Sequence, residues 1–147
     1  MKILLAACNA KYIHSNLAVF NLKAYAKEYD SQVVLREYTI NQLKDDILKD
    51  IYRCHPDVVC VSCYIWNITF VRELMQDLRK ILPDVPFWAG GPEVSYDAET
   101  FLGKNPAFNG VMVGEGEETF LELVKHYVDG SVILEETRGL VYRKADG

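Results

Sequence analysis

The sequence has no long hydrophobic run and no cluster of basic residues. Half of its 147 residues are apolar, but none of the apolar runs approaches the roughly 18 residues that a membrane span needs. The net charge is −5, and Lys and Arg are scattered, whereas nucleic-acid surfaces depend on basic patches. We therefore expect one folded domain that binds neither a membrane nor a nucleic acid.

The sequence also shows no export signal. Residues 1–8 read MKILLAAC and precede a turn and an amphipathic stretch instead of a small-residue cleavage site. We interpret them as a first strand, and we expect a cytoplasmic protein whose four cysteines are reduced. Cys60 and Cys63 have the CxxC spacing, but no second pair completes a zinc site. Small buried hydrophobes are the simpler interpretation of all four.

Short apolar runs rich in β-branched residues alternate with longer segments of helical periodicity. This alternation predicts an α/β domain of flavodoxin-like (Rossmann-like) type, with a doubly wound five-stranded parallel sheet. The predicted strands are 2–8, 32–38, 58–62, 85–89 and 110–113, and the predicted helices are 16–28, 43–53, 68–81, 97–103 and 117–128. After Gly130 two short segments look extended. We expect the α/β domain to occupy residues 1–130 and an extended tail or linker to follow over 131–147.

Ligands of open parallel sheets bind at the carboxyl ends of the strands, where the strand order reverses. The loops at that edge are predicted at 9–15, 63–67, 90–95 and 114–116. They are poor in basic groups, which favours a large, flat, partly apolar ligand over a phosphate cluster. The aromatic, imidazole and amide side chains in these loops or directly after them are Tyr12, His14, Asn16, Tyr64, Trp66, Asn67 and Tyr96.

The loop after the first strand contains no glycine, which excludes the G-x-G-x-x-G turn of dinucleotide-binding folds. Gly114-Glu115-Gly116 imitates part of that spacing, but it follows the fifth strand and is rich in carboxylates that repel phosphate. A phosphoacceptor receiver domain is excluded as well. It needs an acidic pair after the first strand, an aspartate after the third and a lysine after the fifth, and none of these is present.

Two glycine-containing turns allow a structural and a functional interpretation. Gly90-Gly91 forms either a tight strand-to-helix turn or a floor low enough for a ligand to lie on it. The acidic residues around Gly116 either offset the positive end of a helix dipole or accompany a turn whose amides approach a ligand. The two interpretations are compatible at both turns.

The segment AGGPEVS at 89–95, together with GVMVGEGEETFLELV at 110–124, resembles the cobalamin-binding domain that precedes the radical S-adenosylmethionine domain in many two-domain enzymes. The segment GLVYRK at 139–144 is similar to the one by which such domains lead into their catalytic partner. The resemblance extends over essentially the whole chain.

Cobalamin domains of the methionine synthase and mutase type carry Asp-x-His-x-x-Gly after the first strand, where the histidine ligates cobalt and the aspartate orients it. Here His14 has Tyr12 in the aspartate position and Leu17 in the glycine position. Ser62 matches the serine after the third strand, and Tyr64 replaces the following leucine. The resemblance therefore implies cobalamin binding that does not require histidine ligation. For His14, contact with the cofactor, a structural or partner-domain contact, and cobalt ligation all remain open.

The resemblance implies that residues from all four loops bind the cofactor, and it implies no catalytic residue in this chain. The implied cofactor-binding residues are Asn9, Tyr12, His14, Ser15, Asn16, Ser62, Tyr64, Trp66, Asn67, Gly90, Gly91, Pro92, Glu93, Gly114, Glu115 and Gly116.

The chain has no C-x₃-C-x₂-C triplet for an iron–sulfur cluster. The resemblance then implies that the 4Fe-4S cluster, S-adenosylmethionine and the radical step belong to a C-terminal domain of the same polypeptide. The parent enzyme would catalyse methyl transfer or related radical chemistry. Two alternatives remain: a carrier of flavin or another small cofactor on the same fold, and a docking module without a cofactor, since an aromatic rim also suits an interface.

Overall fold

The computed structural model describes residues 1–10, 17–114 and 116–143, with the backbone alone at 17 and 18. The strands are β1 Ile3–Asn9, β2 Val33–Thr39, β3 Val58–Ser62, β4 Phe87–Gly90, β5 Gly110–Met112 and β6 Leu140–Tyr142. The helices are α1 Leu17–Tyr25, α2 Lys44–Cys54, α3 Ile68–Ile81, α4 Pro92–Ser95, α5 Ala98–Lys104 and α6 Glu117–Val128. Short 3₁₀ helices lie at Lys27–Tyr29 and Leu134–Glu136.

The strands form one sheet in the order β2-β1-β3-β4-β5-β6. β1 to β5 are parallel, and β6 is antiparallel to β5. The chain moves from β1 to β2 on one side and then returns to β3 on the other side of β1, so the strand order reverses between β1 and β3. The predicted α/β class and flavodoxin-like, doubly wound parallel arrangement are confirmed, with six strands instead of five.

The chain after Gly130 adds a sixth strand, which the predicted five-stranded sheet did not include. The first of the two segments predicted to be extended contains the 3₁₀ helix Leu134–Glu136, and the second forms β6 against β5. Backbone bonds flank this pairing, from the Val113 amide to the Gly139 carbonyl (2.7 Å) and from the Arg143 amide to the Asn109 carbonyl (2.9 Å). A segment of three residues is too short to show a periodicity, so its pairing with a distant strand determines whether it forms a strand. The domain boundary at residue 130 stays a prediction.

The side chains of the sheet divide between two cores, one on each face. Leu4, Ala6 and Cys8 of β1 belong to the core that α2, α3 and α5 cover, and the alternating Ile3 and Leu5 belong to the core beneath α6. All seven residues of β1 are buried, as expected for a central strand with helices on both faces. In the described ranges, no helix is long and apolar enough to cross a membrane.

The predicted helices agree closely with the structure, and α3 and α6 have the predicted bounds. The one-turn helix α4 was not predicted. It begins at Pro92 directly after Gly91, where the fixed φ of proline suits the first helical position.

Two arginines donate to main-chain carbonyls at the end of the sheet where the parallel strands begin. The Arg79 guanidinium donates to the carbonyls of Ala107 (2.7 Å from Nη2) and Val85 (2.7 Å from Nη1), and it lies 3.8 Å from the centre of the Phe87 ring. Arg143 donates from Nε to the Phe108 carbonyl at 3.0 Å and from Nη2 to the Leu102 carbonyl. The last described residue is therefore fixed to the loop before β5.

Candidate cofactor site

A cavity of about 410 Å³ opens at the carboxyl ends of the parallel strands. Its size lies within the roughly 300–1,000 Å³ of small-molecule pockets. The lining residues are Leu5, Leu22, Cys60, Val61, Ser62, Tyr64, Gly90, Gly91, Pro92, Ser95, Met112, Gly114 and Gly116.

The strand register shows how far each lining strand residue lies from the carboxyl ends of the strands; residues in register form one level. Leu5 pairs with Cys60 at the deeper level, and one level nearer the rim Gly90 lies between Ser62 and Met112. Leu5, Cys60 and Met112 belong to the core on the α6 face, so the cavity lies over that face of the sheet.

The two adjacent glycines of β4 and its turn have different structural roles. A Cβ on Gly91 would lie 2.4 Å from the Cys63 carbonyl oxygen, and its φ is +104°, so the turn requires glycine here. A Cβ on Gly90 would lie 3.3 Å from the flexible Met112 Cε and would enter the cavity. The tight-turn interpretation therefore applies to Gly91, whereas Gly90 lines the cavity beside the Met112 methyl group.

The turn before α6 contributes the far wall. Gly114 and Gly116 both have positive φ, +87° and +83°, and an added Cβ on Gly114 would meet nothing within 4 Å. Gly116 is the N-cap residue of α6, and Glu117 and Glu118 stand in its first turn. Acidic residues there favour the helix dipole, so they have a structural role whether or not a ligand binds.

Ser95 connects the two glycine turns. Its hydroxyl donates to the Gly91 carbonyl at 2.9 Å and accepts from the Gly114 amide at 3.3 Å. Sequence reasoning missed this residue because its helix, α4, was not predicted. It also missed Leu5, Leu22 and Met112, whose apolar side chains look the same in a sequence whether they fill a core or line a cavity.

Asn67 joins the ends of β1 and β3 where the strand order reverses. Its side chain is 1% exposed. The amide Nδ2 donates to the carbonyls of Cys8 (3.0 Å) and Ser62 (3.2 Å), while Oδ1 accepts from the Tyr64 amide at 2.8 Å. Because both amide protons are already bonded to the main chain, the structure places Asn67 beneath the site as a support.

Of the sequence-predicted residues, the structure brings seven together around the cavity: Ser62, Tyr64, Gly90, Gly91, Pro92, Gly114 and Gly116. Four others are described but do not line it: Asn9, Trp66, Asn67 and Glu93. The Asn9 side chain instead donates to Glu37 on β2 at 3.3 Å. The predictions for Tyr12, His14, Ser15, Asn16 and Glu115 lie outside the described residues.

The rim beside the cavity is apolar and exposed. The rings of Tyr64 and Trp66 are stacked, with centroids 5.2 Å apart and an angle of 4° between their planes. Trp66 is 43% exposed, Ile65 80% and Tyr96 96%. We call Ile65, Trp66 and Tyr96 the outer rim. These three exposed residues follow the carboxyl ends of β3 and β4.

The buried thiols add no charge to the site. All four cysteines are free and buried, and burial raises the pKa of Cys8 and of Cys60 to about 12. Within the part of the chain that the structure describes, no cluster of His, Cys, Asp or Glu is arranged to hold a metal ion.

The sequence matches the B12 binding domain family over residues 3–124. The chain belongs to this family. As a B12 binding domain it is similar to the cobalamin-dependent radical SAM methyltransferase TokK of Streptomyces tokunonensis, with 31% identity over 111 residues. It is also similar to the cytidylyl-2-hydroxyethylphosphonate methyltransferase of Streptomyces wedmorensis, with 33% identity over 104 residues. Each alignment covers 70% of this chain, but 15% and 19% of the relatives.

The fold of this B12 binding domain is also found in a solved structure. All of the chain superposes on 21% of the cobalamin-dependent S-adenosylmethionine radical enzyme OxsB, solved with aqua-cobalamin and S-adenosylmethionine bound, with a TM-score of 0.79 and 18% identity. The chain thus spans about a fifth or less of the proteins that it matches.

The geometry at Gly91 generates a stability prediction. Gly91→Ala should lower the free energy of unfolding by at least about 2 kcal/mol, because a strained positive φ costs roughly 1–3 kcal/mol and the Cβ contacts backbone in addition. Gly90→Ala, one residue away, should cost less than about 1 kcal/mol, since the added Cβ meets only the far end of the flexible Met112 side chain. Urea unfolding monitored by circular dichroism measures both. Equal losses of unfolding free energy in the two variants would show that the contact with the Cys63 carbonyl oxygen does not destabilise Gly91→Ala.

The hydrogen bonds of Asn67 lead to a second stability prediction. Asn67→Ala should cost at least about 2 kcal/mol, because the buried Cys8 and Ser62 carbonyls each lose a partner, at about 1–3 kcal/mol each. The matched control is Asn41→Ala, which removes one exposed bond of 3.5 Å to the Ala10 carbonyl and should cost less than about 0.5 kcal/mol. Urea titration measures both variants, and similar costs would refute the supporting role.

Proposed function

We propose that the domain binds cobalamin at the carboxyl edge of its sheet, with the nucleotide tail of the cofactor in the cavity above Gly90. The observation that carries the proposal is this cavity, which Ser62, Gly90 and Met112 line at the carboxyl ends of β3, β4 and β5. When bound, cobalamin supplies a cobalt centre that can carry a methyl group.

The composition of the site supports this cofactor over a nucleotide bound mainly through phosphates. The cavity walls are largely apolar, and glycines at 90, 91, 114 and 116 let the main chain approach a bulky ligand. The Ser95 hydroxyl keeps the two glycine turns at a fixed separation. These residues would orient the ligand and exclude water from its tail.

The proposal does not depend on a protein ligand to cobalt. The described residues around the cavity include no histidine, and His14 lacks the aspartate and glycine that accompany the ligand histidine in the methionine synthase type. Imidazoles that bind a metal usually need such a hydrogen-bond acceptor behind them.

In the parent protein we propose that the domain presents cobalamin to a radical S-adenosylmethionine domain of the same polypeptide, for methyl transfer or related radical chemistry. Two findings support this role: the name of the relative TokK, and the exposure of Ile65, Trp66 and Tyr96 beside the cavity mouth. An outer rim of this kind would contact the catalytic domain across the cofactor.

Titration of the chain with hydroxocobalamin tests the proposal. We expect saturable quenching of tryptophan fluorescence, and corrin absorption that stays with the protein through dialysis. Gly90→Leu should weaken binding at least about tenfold, because the new side chain fills the space reserved for the tail. Gly103→Leu is the matched control, since Gly103 is exposed and an added Cβ there meets nothing within 4 Å.

Three outcomes would count against this function. Complete loss of the corrin at micromolar protein would reject cobalamin binding, and equal binding by both leucine variants would reject the cavity as the tail site. A yellow chromophore that copurifies with the chain, with no corrin affinity, would favour the flavin alternative.

A separate prediction concerns His14. His14→Ala should leave the visible spectrum of bound cobalamin unchanged, because the imidazole lacks its orienting aspartate. Absorption spectra of the two proteins at saturating hydroxocobalamin make the comparison, with Gly103→Leu as a variant distant from the cofactor. A shift of the cobalt bands on removal of His14 alone would establish ligation.

A further inference from the structure

We infer that the cavity selects corrinoids by their lower base, preferring a benzimidazole to an adenine. The inference rests on the proposed function, since it assumes that the nucleotide tail enters the cavity. Natural corrinoids share the corrin ring and differ in this base, so the contacts deep in the cavity determine which of them the domain accepts.

The described walls of the deep part are hydrocarbon and thiol. Leu5 and Cys60 are each 1% exposed and form the floor, and Met112, 4% exposed, stands one level above them. Leu22 of α1 faces them from the helix side. The Cys60 thiol stays protonated, because burial raises its pKa to about 12.

Two polar side chains near the cavity, Ser95 and Asn67, already have main-chain partners. The Ser95 hydroxyl lies between Gly91 and Gly114, and the Asn67 amide is bonded to three main-chain groups. The main chain of β4 pairs with β3 on one side and β5 on the other. Among the described residues of the two deep levels, the Ser62 hydroxyl is the one polar side chain.

Adenine and dimethylbenzimidazole differ in how many polar atoms they would bury against these apolar walls. Adenine has an exocyclic amine and several ring nitrogens, each of which is hydrogen-bonded in water and loses that bond when buried without a partner. Dimethylbenzimidazole has fewer ring nitrogens and carries two methyl groups on a benzene ring, which gain from burial among Leu5, Leu22 and Met112. We expect the adeninyl corrinoid to bind at least about tenfold more weakly, a difference of about 1.4 kcal/mol.

Parallel titrations of the chain with cobalamin, the adeninyl corrinoid and cobinamide test the inference, with tryptophan quenching as the readout. Cobinamide has the corrin but no nucleotide tail, so it measures binding by the rim alone. The inference is supported if cobalamin binds at least about tenfold more tightly than either of the others.

The other outcomes separate the inference from the function on which it rests. Equal or tighter binding of the adeninyl corrinoid would overturn the base preference and leave cobalamin binding intact. Equal binding of all three would place the base outside the cavity and also overturn it. Failure of all three to bind would remove the proposed function itself.

A variant tests the apolar wall directly. Met112→Gln places an amide of similar length in the cavity and should reduce the preference for cobalamin at least about threefold, because the new donor and acceptor can pair with adenine. Ile133→Gln makes the same kind of change at a side chain that is 55% exposed and does not line the cavity, so its preference should equal that of the unmodified chain. If Met112→Gln does not fold, the titrations of the unmodified chain with the three corrinoids still test the base preference.

Discussion

The site depends on one buried amide at the point where two neighbouring strands lead in different directions. β1 and β3 pair with each other only as far as Ala6 and Val61, and beyond this point each strand pairs only with its other neighbour, β2 or β4. Asn67 fills this position, with Nδ2 bonded to the carbonyls of Cys8 and Ser62 and Oδ1 bonded to the Tyr64 amide. The separation between the ends of β1 and β3 is therefore set by a side chain that does not line the cavity.

The second constraint is close packing around the glycines of β4 and β5. On β5, a Cβ at Gly110 would lie 2.4 Å from the Trp88 ring, so the ring fills the sheet surface beside Cys60, at the deeper level of the cavity. Two residues further along β4, Gly90 has no side chain and lies close to the Met112 methyl group. Trp88 is held from the helix side as well, by a 3.0 Å bond from its Nε1 to the Tyr127 hydroxyl. Close packing below and a missing side chain above together define the floor.

Most of the fold was predictable because its strands and helices carry strong local signals. The run VVCVS is apolar on both faces and gave β3 without error, and the amphipathic period of residues 68–81 gave α3. The one-turn helix α4 and the three-residue strand β6 carry no such period. Tertiary contacts decide both of them, including the Ser95 bonds and the pairing of Leu140 with Met112.

The candidate site was predictable in its location but less so in its residues. The rule that ligands bind at the carboxyl ends of parallel strands gave the four loops, and the glycines within them were found because glycine stands out in a sequence. Asn67 was predicted to contact the cofactor, since the sequence shows an amide in a loop and cannot show that main-chain groups occupy it. The apolar lining was missed for the opposite reason, because Leu5 and Met112 are indistinguishable from core residues until the cavity is seen.

The direction of β6 has a consequence for how a larger enzyme would be assembled. β6 runs antiparallel to β5 and takes the chain from Leu140, level with Met112, to Tyr142, level with Gly110. Arg143 then anchors the chain at the loop before β5, on the edge of the sheet away from the cavity mouth. At about 3.3 Å per strand residue, any polypeptide that continues from there must travel back along the height of the sheet before it can cover the cofactor. The described chain therefore ends at the end of the sheet opposite the cavity mouth, and pairing with β5 fixes this position.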